Sequence, residues 1–374
     1  MRNELFDVVV IGAGPAGSRI AAETASLGHD VLLLEKDTFP GEKNVCGGGL
    51  LQHFVSHIPL SHRARGKELR KWCYYFPKTE YTLDLPSLSF QRSDFDSYLA
   101  RLAVMHGAKL QTSARVEDAR FADDRVELKV KDVATGVKST VSGRIVVFAD
   151  GPCTMAWQKL GIGFHATPDN TALGAIYEVD WPDDPYDCFE LYFDTRLSAW
   201  GYTWVFPKMD RLNVGVGCLM SMMKMNLRES LDIFVRKHPL MAKKLVGKRI
   251  LRFAAACIPF APARRISWRR TLVIGDAAGT ADPIWGGGIG PAIQAAPVAA
   301  GVISEALASE RFDAAFMAQY DLRWKKTRWY KEIRRRYYLS RLLQPYARLD
   351  SHAFVRMAEI LVRSYGAKPA DIVH

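Results

Sequence analysis

Apolar and polar positions follow two different rhythms along the 374 residues of this chain, and the change of rhythm divides it. At the front, FDVVVI (residues 6 to 11) is a largely β-branched run closed at once by Gly12, which predicts a buried parallel strand. A helical stretch follows from Pro15 to Leu27, Gly28 ends it, and VLLLE predicts a second strand finishing on Glu35. Near the far end the same rhythm returns, with a strand from Thr271 to Ile274, a glycine loop and an amphipathic helix from Pro291 onward. RIVVFADG (144 to 151) predicts another strand, and FQRSDFDSYLARLAVMHGAKL sets Arg92 and Asp96 ahead of a helix. Residues 165 to 260 lack the strand–helix pattern. Short alternating runs (ALGAIYEVDW, DCFELYFD, GYTWVFPK, RLNVGVGCLM) instead predict a mostly antiparallel sheet with one face on a core. Past residue 350, HAFVRMAEILVRSYG predicts one more helix and then a polar end.

The first strand, helix and second strand enclose Gly12, Gly14 and Gly17, a GxGxxG in the βαβ setting that separates a dinucleotide fingerprint from a chance glycine pattern. Gly12 permits the tight turn, Gly14 lets a pyrophosphate reach the backbone, and Gly17 lets helix and strand pack closely. The helix N-terminus offers free N–H groups and the positive end of its dipole to the phosphates. Glu35 stands where a carboxylate binds ribose hydroxyls and repels a 2′-phosphate, which disfavours NADP in this site. On these residues alone the nucleotide is FAD or NAD.

Composition narrows the picture only slightly. Forty-eight per cent of residues are apolar, enough for roughly two domains. Cysteines at 46, 73, 153, 188, 218 and 257 make no CxxC pair or His/Cys cluster, which argues against an iron–sulfur or structural zinc site and predicts no metal. No apolar run reaches the roughly 20 residues of a membrane span. Asp7 and the glycines beyond it argue against a signal peptide. A cytoplasmic protein is expected. The net charge of +11 suits an anionic partner or plain solubility. Much of it lies in DLRWKKTRWYKEIRRRYYLSRLLQPYAR (321 to 348), where Trp324, Trp329, Tyr330, Tyr337 and Tyr338 interleave with cations. That helix can lie at a membrane interface, grip a substrate diphosphate, dock an acidic ferredoxin, or simply cover the domain beneath it. No nucleic-acid motif accompanies the charge, and none of that class of partner is expected.

Resemblance decides between flavin and nicotinamide. GDAA followed by a glycine-rich turn resembles the second flavin motif of the FAD-dependent hydroxylase and reductase superfamily. There the aspartate, here Asp276, binds the ribityl chain, and the following glycines (Gly286, Gly287, Gly288, Gly290) meet the flavin ring. Asp150 with Gly151 looks like that superfamily's strand-ending Asp-Gly, though Pro152 and Cys153 are a less common continuation. Arg92 resembles the arginine of the helix that covers the FAD phosphates, with Asp96 either beside it or facing solvent. The resemblance further implies cofactor contacts at Ala16, Lys36, Val116 and Ile289. The expected cofactor is FAD.

Within the alternating region, Tyr202, Trp204, Phe206 and Pro207, then seven residues, then Gly215 and Gly217 match the YxWxFP…GxG signature of the geranylgeranyl reductase family. Cys46, Gly47, Gly48 and Gly49 stand where that family carries its CxxG-type motif. Ala199 departs from the proline that family members often have three residues before the tyrosine. The resemblance implies an FAD-dependent reductase that saturates C=C bonds of an isoprenoid chain on a lipid, quinone or pigment, with electrons from NAD(P)H or ferredoxin. A flavin monooxygenase or halogenase of the same superfamily is the alternative. So is an electron-transfer flavoprotein–quinone oxidoreductase relative, which EKNV before the glycines also resembles.

The expected fold is α/β: a Rossmann-type FAD-binding domain of the glutathione-reductase-like, hydroxylase type (1–72, 91–160, 265–310), interrupted by substrate-domain strands (73–90) and an antiparallel-sheet substrate domain (161–264), with a C-terminal basic helical region (311–374). Strand alternation sets Tyr202, Trp204 and Phe206 on one face, as a wall for an isoprenoid chain or as core packing. Tyr202, Trp204, Phe206, Pro207, Gly215 and Gly217 are the expected substrate contacts. Cys46, Gly47, Tyr202 and Trp204 are the expected catalytic residues, and Cys46, Gly47 and Gly48 also border the flavin. In this reading the glycines at 47 to 49 admit flavin and substrate, and Cys46 protonates or positions the alkene.

Overall fold

The βαβ opening that the glycines predict is the centre of the first of two units into which the chain divides. The computed structural model describes residues 4–43, 45–181 and 186–369. The first unit comprises residues 1–44, 92–166 and 259–335. Its sheet runs in the order Ser267–Trp268, Thr271–Val273, Lys138–Phe148, Leu5–Ile11, Val31–Leu34, Lys109–Gln111, and the last five of these strands are mutually parallel. Such strands are buried on both faces, which is why VVVI and VLLL read as unbroken apolar runs. An antiparallel hairpin, Ala114–Phe121 with Val126–Asp132, continues from Lys138–Phe148. The helix Pro15–Ser26 starts with proline in its first turn and packs against both Arg92–Met105 and Ile289–Ser309. By length and composition Ile289–Ser309 could cross a membrane, contrary to the expectation that no such segment exists, but more than half of its most apolar stretch is buried within the protein.

The second unit comprises residues 45–91, 167–258 and 336–374. Its nine-stranded sheet runs Ile250–Pro259, Thr171–Asp180, Arg211–Leu219, Gly201–Pro207, Cys188–Tyr192, Lys67–Tyr75, Glu80–Ser89, Lys368–Pro369, with Gly49–Leu51 also paired to Glu80–Ser89. The expected boundary at residue 72 is therefore wrong. Gly49–Leu51 and Lys67–Tyr75 belong to this sheet, and the chain leaves the first unit near residue 44. Lys67–Tyr75 pairs in parallel with Cys188–Tyr192, a partner far off in sequence that no local pattern announces. The C-terminal region expected at 311–374 is likewise divided. Residues 311–335 belong to the first unit, whose core takes in Trp324 and Tyr330, and residues 336–374 belong to the second.

Candidate functional site

In the first unit the three fingerprint glycines have three different surroundings. A Cβ on Gly12, where φ is +98°, would lie 2.5 Å from Ala149 O, and one on Gly17 would strike Gly12 O. Both positions need glycine because the chain's own backbone fills the space. A Cβ on Gly14 meets nothing within 4 Å. Gly14 caps Pro15–Ser26 without a side-chain hydrogen bond, so open space lies in front of free helix N–H groups, which suits a phosphate. Glu35 is buried, its Oε2 accepting from Ala13 N–H at 2.8 Å and its Oε1 from Asp37 N–H at 3.0 Å, which ties the second strand to the glycine turn. Ala16 is buried against Gly275, and Lys36 pairs with Asp37 at 3.3 Å. Val116 packs partly on the core beside an irregularity in its hairpin.

Asp150 accepts from Met155 N–H at 2.8 Å, while its Oδ1 is buried with no partner among the described residues, and burial pushes the carboxyl pKa up. Asp276 is half-buried, its carboxyl also raised by burial and held back by the charge of Arg92. Arg92 forms a bidentate pair with Asp96, at 2.9 and 2.7 Å, and Asp96 is buried rather than facing solvent. The turn 286–288 leads into Ile289–Ser309, whose first turn carries no acid and no side-chain cap. A Cβ on Gly287 meets nothing within 4 Å, and Gly151 is open in the same way. An orphaned buried oxygen, two open glycines at helix starts and three carboxylates in one unit fit a flavin dinucleotide, with Gly14 and its helix for the phosphates and Glu35, Asp150 and Asp276 for hydroxyls. Among the described residues no group of His, Cys, Asp or Glu converges to hold a metal ion.

In the second unit the signature strands pair directly: Tyr202 with Gly217, Trp204 with Gly215, Phe206 with Asn213. The glycines are there for the tryptophan. The Trp204 ring lies across Gly215, so a Cβ would collide with Cε2 and Cζ2 and stand 2.7 Å from Nε1, and at Gly217 it would be 3.5 Å from Cζ3. Gly215 therefore seats an indole. Phe206 stands edge-on to Trp72 and Phe189, at ring separations of 5.7 and 4.9 Å. Trp204, Phe206 and Pro207 are buried, and Tyr202 is half-exposed.

The cysteine turn rests on this face. A Cβ on Gly47 would come within 3.0 Å of Phe206 and 3.2 Å of Trp204 Nε1, and one on Gly49 within 3.1 Å of Phe206. Gly48, with φ at +66°, has Phe90 O and Lys208 Nζ on its Cβ side. The Cβ positions of this triple glycine are filled by the protein's own sheet, which gives these glycines a packing reason beside the expected approach by flavin and substrate. Two residues that sequence reasoning passed over hold the turn. Trp204 Nε1–H donates to Asn213 Oδ1 at 2.8 Å, and Asn213 Nδ2 donates to Cys46 O at 3.1 Å. Lys208 Nζ donates to Gly47 O and, at 3.0 Å, to Ser89 Oγ. Gly48 N–H donates to Cys46 Sγ at 3.3 Å. A polar residue among LxVxV positions and a lysine at the buried end of GYTWVFPK were the available signals. Asn44 of EKNV lies outside the described residues.

A dinucleotide cradle in one unit and a cysteine turn bedded on an aromatic sheet in the other define a flavin-dependent oxidoreductase. The family model described as lycopene cyclase protein matches residues 7–360. A digeranylgeranylglycerophospholipid reductase of Methanothermobacter thermautotrophicus is 32% identical over 331 residues, covering 86% of this chain and 83% of that protein. Another of the same name from Methanopyrus kandleri is 31% identical over 86% of each. A crystal structure of a geranylgeranyl bacteriochlorophyll reductase-like protein from Thermoplasma acidophilum superposes with a TM-score of 0.84 at 25% identity, over 96% of this chain and 91% of that one. A myxobacterial chondrochloren halogenase, at 21% identity and a TM-score of 0.70 over 86% of this chain and 80% of its own, shares the fold. The chain belongs to the lycopene cyclase protein family and, within that similarity, to the geranylgeranyl reductases.

Proposed function

We propose that this protein is an FAD-dependent reductase that saturates C=C bonds in the isoprenoid chains of a glycerophospholipid. The observation that carries this reading is the clamped Cys46 turn on the YxWxFP face, in a chain whose relatives are named as such reductases. FAD, when bound and reduced, supplies the hydride. An isolated alkene develops no oxyanion, so the chain must contribute placement and a proton at the other carbon. Cys46 is half-buried, uncharged as a thiol and suited to an apolar setting, and its Sγ is aimed by Gly48 N–H. The half-exposed Tyr202 is the signature aromatic left to meet an isoprenoid chain.

Electrons come from NAD(P)H or an acidic ferredoxin. The location is cytoplasmic with peripheral membrane contact, supported by a row of exposed residues on the helix Arg328–Leu349. Tyr338, Leu342, Tyr346 and Leu349 recur at helical spacing beside the exposed Arg341 and Arg348. Trp324 and Tyr330, two of the aromatics that interleave with the cations, are buried and cover the domain beneath them.

Anaerobic photoreduction followed by a geranylgeranyl glycerophospholipid tests the reading. Reoxidation of the flavin with a saturated product is expected. Reoxidation only by O₂, with an oxygenated product, would move the protein to the monooxygenase class.

A further inference from the structure

Among the described residues Lys208 is the only buried lysine. It stands just beyond Pro207 with its Nζ on Gly47 O and Ser89 Oγ, and a Cβ on Gly48 would lie 2.7 Å from that nitrogen. Placing an ammonium where no carboxylate touches it is costly, and burial pulls its pKa down to about 7. A methionine would fill the same space without that cost, so the amine itself has a task. The charges of two groups favour its charged form, Cys46 on the turn and Glu178 on Thr171–Asp180. Glu178 already pairs with Arg211 at 3.0 Å and lies 3.9 Å from Arg252. Cys46, whose neighbour Gly47 offers the carbonyl that Nζ holds, is the group left for Lys208 to answer.

We propose that Lys208 is a positioning residue for the Cys46 turn, holding it through Gly47 O and standing as counter-charge once Cys46 has given up its proton. This rests on Cys46 as proton donor. In that step one alkene carbon takes the hydride, the other takes the thiol proton, the thiolate remains on the turn that Lys208 holds, and water restores the proton.

The test reads the thiol directly. Alkylation of the full-length, FAD-loaded protein by iodoacetamide is followed at Cys46 by peptide mass spectrometry, in wild type, Lys208→Met and Lys208→Gln. Exposed Cys153, in the other unit, is the internal reference. Glutamine can still donate to Gly47 O, so it removes the charge and keeps the contact. The Cys46 rate at neutral pH is expected to fall about tenfold in both variants, since a cation beside a thiol favours its reactive form. The Cys153 rate should not change. An unchanged Cys46 rate in folded Lys208→Gln overturns the counter-charge role, whatever the methionine variant does. A fall in that rate in a protein that reduces no prenyl chain sinks the proposed function and leaves the lysine–cysteine coupling standing.

Discussion

Gly215 should be intolerant of a single methyl group, and the reason is the indole that lies on it. In Gly215→Ala the new Cβ overlaps the six-membered side of the Trp204 ring and sits 2.7 Å from Nε1, inside any ordinary contact. The backbone cannot retreat, because Gly215 is paired on both sides, with Trp204 on one strand and Ile176 on the other. The ring must tilt, which draws Nε1–H off Asn213 Oδ1 at 2.8 Å and frees the amide that holds Cys46 O. Overpacking of this kind costs about 1–3 kcal/mol, and a lost buried hydrogen bond adds about 1 kcal/mol. The expected loss is therefore about 2–4 kcal/mol, read as a lower urea midpoint with an unchanged slope. Trp204→Leu in the same background should return part of that loss, since the two sites share one space. A Gly215→Ala midpoint within about 0.5 kcal/mol of wild type would refute the seating argument.

Gly14→Ala is the converse experiment: with nothing within 4 Å it should leave the urea midpoint of the apoprotein unchanged, while FAD affinity measured by fluorescence titration falls at least tenfold. Cys46→Ala should keep FAD bound and cripple prenyl reduction, and unchanged turnover would remove its proposed role. Asp96→Asn leaves Arg92 with a neutral partner for a bidentate contact of 2.7 and 2.9 Å, and a loss of about 1–3 kcal/mol is expected in thermal or urea unfolding. For Lys208 the folded pKa of about 7 lies below the ordinary 10.5. Between those values the unfolded chain holds a proton that the native one lacks, so this group makes stability rise with pH from about 7 to about 10.5, by on the order of 5 kcal/mol, with no slope from it below about 7. Lys208→Met should flatten that rise in urea midpoints taken across this range, and an unchanged slope would show that the amine is not desolvated as its burial requires.

The first unit was legible because its signals are local. Residues 5 to 35 carry strand, turn, helix and strand in one continuous run, and the glycine loop before Ile289–Ser309 repeats the device. Alternation likewise gave the central strands of the second unit, including the shared face of Tyr202, Trp204 and Phe206. What stayed hidden depends on distant partners. Lys67–Tyr75 finds its place only through Cys188–Tyr192, and Lys368–Pro369, expected as part of a polar end, pairs with Glu80–Ser89. Lys208 was hidden for a different reason. A lysine after a proline reads as the polar start of a turn, and only the folded sheet shows that Ser89 and Gly47 enclose it.

The same reasoning changes what the aromatic signature is for. A wall built to receive an isoprenoid chain would leave its rings accessible, yet Trp204 and Phe206 are buried beneath the cysteine turn and only Tyr202 is half-exposed. Reducing an unactivated alkene gives the protein little charge to stabilise, so in the proposed reaction its leverage is the fixed position of a proton donor. A triple-glycine turn is by itself a poor platform, because glycine leaves the backbone its greatest freedom. Clamped at Cys46 O by Asn213, at Gly47 O by Lys208 and underneath by Phe206, that turn loses the freedom its sequence implies. On this view tyrosine is the signature position that should tune which chain length is accepted, and tryptophan the one whose loss should lower turnover for every chain alike. A Trp204 variant that changed chain-length preference while keeping full turnover on one substrate would contradict that division.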